Sequence, residues 1–125
     1  MKKILIGIIG FGRIGSELAK LLKAFNCKDI LVNDINIDKI NLKKYPIKKA
    51  TKNKIFKNCN IITLHLPFTK QTKNLVTKKE INLMRSDAIL INTSRGGIIN
   101  ENHLYEALKK KKIHSAALDV YSQEP

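Results

Sequence analysis

The stretch Lys3–Phe25, KILIGIIGFGRIGSELAKLLKAF, decides the fold. Its first part is a continuous apolar run, the composition of a strand buried on both faces of a parallel sheet. Its last part places Ile14, Leu18, Leu21, Leu22 and Phe25 at i, i+4, i+7, i+8 and i+11. That is the apolar stripe of an amphipathic helix, and Asn26 suits the left-handed residue that ends one. Between strand and helix lies Gly10-Phe11-Gly12-Arg13-Ile14-Gly15, a GxGxxG turn. Glycines are common in turns, and the pattern gains meaning only from this strand before it and helix after it.

Outward from that unit the alternation continues. DILVNDI (29–35) reads as a second strand. Residues 36–58 are lysine-rich, with a break at Pro46, and read as helix only at the two ends. NIITLHLPF (60–68) is a strand stopped at Pro67. Thr77 and Glu80 stand at capping-box spacing, so a helix starts at Thr77. AILINTS (88–94) is another apolar strand. Asn100 caps a helix with Leu104, Ala107 and Leu108 inward and lysines at its negative end. The last strand, Ala116 to Val120, reads as buried and carries Asp119 near its end. Strands alternating with helices predict an α/β fold of the Rossmann type, a doubly wound parallel sheet in a single domain over residues 1–125.

The chemistry of the turn follows from its context. Gly10 allows the tight bend, Gly12 lets backbone approach a pyrophosphate, and Gly15 lets helix and strand pack closely. The N–H groups near Arg13 and Ile14 would face the phosphates. Asp34, 19 residues past Gly15 at the end of the second strand, would accept hydrogen bonds from an adenosine ribose. An anion there repels a 2′-phosphate, and Ile35 and Asn36 bring no arginine, so NAD is expected rather than NADP. Arg95, in INTSRGG, falls just past a strand's carboxyl end, where such sheets place ligands and where a guanidinium can hold a carboxylate by two parallel bonds.

Composition narrows the remaining possibilities. The 125 residues carry a formal charge of +14, nearly all from lysine, with arginine only at positions 13, 85 and 95. These lysines lack interleaved aromatics or arginine clusters, so nucleic-acid recognition is not expected, although the field would draw in anionic ligands. Cys27 and Cys59 have no CxxC spacing and fit a reducing, cytoplasmic setting. His65, His103 and His114 are isolated from one another and from the cysteines, so no metal site is expected. No stretch approaches the roughly 20 apolar residues that span a bilayer, and no membrane association is expected.

Four segments in order, IIGFGRIGSELAKLLKAF, TLHLPFTKQTKNLV, INTSRGGIINENHLYEAL and AALDVYSQEP, closely resemble the nucleotide-binding domain of the D-isomer-specific 2-hydroxyacid dehydrogenases, most of all the branch with phosphoglycerate dehydrogenase. The resemblance implies that Gly10, Gly12, Arg13, Ile14, Gly15 and Asp34 contact NAD. It implies further that Leu66 and Pro67 line the adenine side, with Thr72 near the phosphates. Thr93 would lie by the nicotinamide half, and Asp119 would accept hydrogen bonds from the carboxamide. Arg95 matches the arginine that grips a 2-hydroxy acid substrate, and Glu124 matches the acid that pairs with a catalytic histidine.

That histidine lies downstream of the Glu-Pro pair in the family, and none of the three here matches it. The family also builds a second, substrate-covering domain from segments before and after the nucleotide-binding one. The expectation is therefore a truncated domain: the cofactor-binding part of an NAD-dependent oxidoreductase whose catalytic histidine lies elsewhere, pairing as a homodimer through this domain. The alternative expectation is a non-catalytic dinucleotide-binding or interaction module.

Overall fold

The computed structural model describes residues 3–45 and 47–124. The elements are β1 (Ile6–Ile9), α1 (Arg13–Ala24), β2 (Ile30–Asn33), two 3-10 turns (Ile37–Lys39 and Leu42–Lys44), β3 (Ile47–Lys49), α2 (Lys52–Asn58), β4 (Ile61–Leu64), α3 (Lys78–Leu83), β5 (Ile89–Asn92), α4 (Glu101–Lys109) and β6 (Ser115–Leu118). The strands form one sheet in the order β3-β2-β1-β4-β5-β6, every neighbouring pair parallel. The order reverses direction between β1 and β4, the switch point outside whose carboxyl ends such folds bind ligands.

Register does the positioning. Ile9 lies opposite Asn33 and Leu64, Leu64 opposite Asn92, and Asn92 opposite Leu118. The residues that follow, Gly10, Asp34, His65, Thr93 and Asp119, therefore emerge in one row along the same edge of the sheet. Side chains alternate between faces. Ile6, Ile8, Ile30 and Val32 turn toward α1, where Ala19 is buried against them. Ile9, Leu31, Ile62, Leu64 and Leu90 turn toward a larger cluster under α2, α3 and α4 that includes Ile55, Phe56, Ile81 and Leu104. Each fully buried side chain of this size contributes about 2 kcal/mol.

The helix starts follow the capping residues. The Glu80 carboxylate accepts from the Thr77 N–H at 2.9 Å and from its hydroxyl at 2.8 Å, and Asn100 Oδ1 accepts from the His103 N–H at 3.0 Å. Asn26 ends α1 with φ of 65°, as expected.

Three expectations are corrected. The predicted stripe of α1 splits: Leu18 and Leu22 pack inward, while Ile14, Leu21 and Phe25 are 64%, 59% and 81% exposed. The small residues Gly15 and Ala19 face β1 directly, so the helix is rotated about them and its contact line runs through 15, 18, 19 and 22. Within residues 36–58, the first end forms a 3-10 turn rather than a helix, and β3 was missed. It is a three-residue edge strand with two exposed lysines and no apolar alternation to reveal it. The break at Pro46 lies outside the described residues. Finally, the last strand is Ser115–Leu118, half-exposed rather than buried, because it forms the edge of the sheet. The apolar cluster under α1 reaches Ile61 of β4 and stops there, leaving Ile89 and Ile91 half-buried and Ala117 exposed on that face.

Candidate functional site

Gly10 leaves β1 with φ of 96°, and its N–H donates to the Asn33 carbonyl at 2.8 Å. A β-carbon there would strike the His65 carbonyl, so both conformation and contact require glycine. Gly15 lies against the Gly10 carbonyl, which lets α1 begin directly on the end of β1. Gly12 differs from both. A β-carbon on it would meet nothing within 4 Å, so this position opens onto free space. The start of α1 has no side-chain cap and no acidic residue in its first turn. Its first N–H groups, at the positive end of the helix dipole, keep their donor capacity for an external anion.

Asp34 stands beside this turn and is tied to it. Its Oδ2 accepts from the Phe11 N–H at 2.7 Å and its Oδ1 from the Asn36 N–H at 2.7 Å. A carboxylate has about four lone-pair sites, so each oxygen can still accept one further bond. Asn33 Nδ2 donates to the Ala50 carbonyl at 2.8 Å and pins the end of β2 to the end of β3.

Two clefts meet at Leu66 and Pro67. One, of about 570 Å³, holds Asp34, Ile35, Lys52 and Thr72. The other, of about 610 Å³, holds Gly12, Arg13, Ile14, Thr93 and Arg95. With Leu66 and Pro67 on the wall of each, they make a groove across the switch point from Asp34 to Arg95. Ile35, 96% exposed, and the apolar Leu66 and Pro67 give the Asp34 end apolar walls suited to a purine ring. Thr72 lies at this end. Its hydroxyl donates to the Pro67 carbonyl at 2.6 Å and accepts from the Thr69 N–H at 2.8 Å.

The Arg95 end is built on Asn92, which is 2% exposed. Its Nδ2 donates to the Arg95 carbonyl at 2.9 Å, and its Oδ1 accepts from the Ser94 N–H at 3.0 Å and hydroxyl at 2.7 Å. The Arg95 side chain is exposed, with Nη1 donating to the Ser94 carbonyl at 2.7 Å. A β-carbon on Gly96 would strike the Tyr121 carbonyl, so the loop after β5 is held against the tail after β6. Asp119 belongs to the row of strand-end residues, its N–H donating to the Asn92 carbonyl at 3.1 Å, and it lies outside the lining of both clefts. Glu124 is exposed on that tail and accepts from the Tyr121 N–H at 3.1 Å.

Of the residues singled out in the sequence, Gly12, Arg13, Ile14, Asp34, Leu66, Pro67, Thr72, Thr93 and Arg95 line the groove, and Gly10 and Gly15 shape it from below. His65, Ser94, Ile35 and Lys52 also line it and were missed as site residues. Each stands within two residues of a strand's carboxyl end or at the start of a helix, which was the only signal. His65 Nε2 is 2.9 Å from the Thr63 hydroxyl, and burial pushes the imidazole pKa down. His103 Nδ1 accepts from the Lys78 N–H at 3.0 Å, and His114 Nδ1 lies 3.1 Å from the Ser115 hydroxyl. Glu124 is a partner of none of them.

A dinucleotide fits the described residues. The open space at Gly12 and the uncapped start of α1 match a diphosphate, and the Asp34 carboxylate with its remaining lone pairs matches a ribose diol.

Comparison with known proteins agrees over the whole chain. The sequence profile of the D-isomer specific 2-hydroxyacid dehydrogenase NAD binding domain matches residues 1–125. D-3-phosphoglycerate dehydrogenase of Methanocaldococcus jannaschii is 41% identical over 120 residues, covering 96% of this chain and 23% of the relative. Glyoxylate reductase of Thermococcus litoralis is 40% identical over 120 residues, covering 96% of this chain and 36% of the relative. The structure of Lactobacillus jensenii D-lactate dehydrogenase with NAD+ superposes with a TM-score of 0.86 at 36% identity, over 96% of this chain and 36% of that one. The chain thus spans between 23% and 36% of the length of these relatives. It belongs to the D-isomer-specific 2-hydroxyacid dehydrogenase family, of which it is an NAD-binding domain.

Proposed function

We propose that this domain serves an oxidoreductase that interconverts a small 2-hydroxy acid and its 2-oxo acid, in the manner of the phosphoglycerate dehydrogenase-like branch. The observation that carries the reading is the single groove that joins Asp34, the Gly12 opening and Arg95. Its lining suits an adenosine at the Asp34 end, a diphosphate at Gly12 and the reacting groups at the Arg95 end.

Nicotinamide, when bound, supplies the acceptor or donor of the two electrons. The residues of this chain bind and orient. Asp34 holds the ribose, the N–H groups after Gly12 hold the diphosphate, and Leu66 and Pro67 cover the adenine side. Thr72 fixes the loop that follows Pro67 through its bonds to Pro67 and Thr69. Thr93 borders the nicotinamide half, and Asp119 accepts from its carboxamide. Arg95 clamps the substrate carboxylate with its exposed guanidinium. Glu124 raises and orients the proton-carrying imidazole of a histidine supplied outside these 125 residues, together with the domain that covers the substrate. The domain works in the cytoplasm as part of a homodimer, a reading supported by the exposed apolar side chains of Leu21 and Phe25 on α1, outside the groove. A non-catalytic dinucleotide-binding module is the second reading, favoured by the fact that each histidine has a hydrogen-bond partner other than Glu124 in its own surroundings.

The test is a calorimetric titration of the chain with NADH, paired with light scattering for its oligomeric state. Saturable binding by a dimer supports the proposal. A folded chain that binds no NADH overturns the cofactor roles, and a monomer overturns the homodimer.

A further inference from the structure

A cleft of about 380 Å³ opens between α3 and α4 and shares no residue with the groove that runs from Asp34 to Arg95. Its volume falls at the lower end of the range for small-molecule sites, roughly 300–1,000 Å³. The buried Ile81 and Ala107 form an apolar floor. Lys78, Lys110 and Lys112 stand exposed at the rim, with Glu106 as the one opposing charge of the lining.

Two backbone arrangements bring these groups together. Lys111 takes a left-handed φ of 56°, and the Lys112 N–H donates to the Ala107 carbonyl at 2.8 Å. The chain thus folds back at the end of α4 and returns Lys112 to the same cleft as Lys110. Across the cleft, the Lys78 N–H donates to His103 Nδ1 at 3.0 Å and ties the start of α3 to the first turn of α4. Since Nδ1 accepts, the neutral ring carries its proton on Nε2, and that N–H has no partner among the described residues. None of the three ammonium groups, nor the Glu106 carboxylate, forms an ion pair or side-chain hydrogen bond with another described residue. Glu106 and Lys110 are four residues apart, close enough to pair along a helix, and do not. Lys110 and Lys112 answer part of the negative end of α4's dipole. Lys78, the first residue of α3, sits at a positive end, where the dipole disfavours a cation.

Three free ammonium groups and an imidazole N–H, set against one carboxylate around an apolar floor, complement a short carbon body with two negative charges. We propose that the cleft between α3 and α4 is a second binding site, for a small organic dianion. It does not depend on the dinucleotide reading of the groove.

The experiment follows backbone amide shifts of the isotope-labelled chain during titration with glutarate, propyl phosphate and inorganic phosphate. Each titration is repeated in Lys112→Glu and in Lys57→Glu, whose lysine lies on α2 outside the cleft. Circular dichroism melts establish that each variant is folded, and an NADH titration reports separately on the groove. Glutarate or propyl phosphate should reach half-saturation below about 5 mM, with the largest shifts at residues 78–82 and 103–112. Whichever of the two binds more tightly identifies the head group as carboxylate or phosphate. Lys112→Glu should weaken that probe about fivefold and leave NADH affinity unchanged, and Lys57→Glu should alter neither. Shifts that do not saturate and scatter over the lysines, or an equal loss in both variants, assign the effect to the general positive charge and overturn the site. Inorganic phosphate binding as tightly as the organic probes overturns the part played by the apolar floor and with it the organic ligand. Failure of both organic probes overturns the site even when NADH binds, whereas failure of NADH alone overturns only the dinucleotide reading.

Discussion

The Phe11 N–H donates to Asp34 Oδ2 at 2.7 Å and so joins the glycine turn after β1 to the acid after β2. One carboxylate therefore serves the fold and the proposed ribose contact together. Asp34→Ala should cost about 1–3 kcal/mol of stability through the orphaned N–H of the buried Phe11. It should also weaken NADH by at least about tenfold. Urea unfolding and NADH titration read the two effects separately. Unchanged affinity in the folded variant would remove Asp34 from the cofactor site.

The three glycines of the turn should separate structure from binding. Gly10→Ala puts a β-carbon on a residue with positive φ and against the His65 carbonyl, so it should destabilise the chain by about 3 kcal/mol. Gly12→Ala meets open space and should change stability by less than about 0.5 kcal/mol. The same methyl group points where a diphosphate would lie, so NADH affinity should still fall several-fold. Thermal melts beside NADH titrations check this. A Gly12→Ala variant that binds as tightly as the parent would move the phosphates elsewhere.

The glycine turn, Asp34 and the order of strands and helices were legible in the sequence because β1, β4 and β5 are buried apolar runs bounded by glycine, proline or polar residues. β3 was not, since two of its three residues are exposed lysines and its pairing depends on β2 beside it. The rotation of α1 escaped for a related reason. Leu21 and Phe25 look like core residues by period, yet the helix approaches β1 through Gly15 and Ala19, and only packing reveals which side is closest. Asn92 was passed over as one more strand residue. Its role appears only when its side chain is seen to bind both Ser94 and Arg95.

Arg95 is exposed and contributes its backbone, not its side chain, to the bond with Asn92. Arg95→Ala should therefore leave stability within about 0.5 kcal/mol and NADH affinity within about threefold. On the proposed substrate role of Arg95, the same change should abolish retention of a carboxylate substrate or of oxalate by an enzyme that contains this domain. Activity and oxalate inhibition assays decide it. A large loss of NADH binding would instead place the guanidinium on the cofactor.

Cys59 and Cys27 should differ sharply toward thiol reagents. Cys59 is fully buried in the cluster under α2, and burial pushes its thiol pKa from 9.0 up to about 12. Its folded pKa lies above its unfolded one, so this contribution to stability is whole below pH 9 and is lost as pH rises toward 12. Cys27 is only partly buried. In the native chain at mildly alkaline pH, a disulfide reagent should modify Cys27 first, and Cys59 only at the rate of unfolding. Mass spectrometry of the early adduct checks the order, and prompt labelling of Cys59 would contradict its burial.

His65 provides the pH dependence of the groove itself. Burial against Thr63 and the β1 turn lowers its pKa below 6.5, so the folded chain favours the neutral imidazole. Between that lowered value and 6.5 the unfolded chain binds more protons than the folded one. Stability from this group is therefore whole above 6.5 and is lost as pH falls through the folded value. Urea midpoints of the parent and of His65→Gln, followed from about pH 7.5 down to about pH 5, isolate the effect because the other titrations are common to both. The parent should lose stability relative to the variant as the solution is acidified. A difference that stays constant across the range would show that His65 is not desolvated, and would open the space beside Gly12 and Thr93 to water.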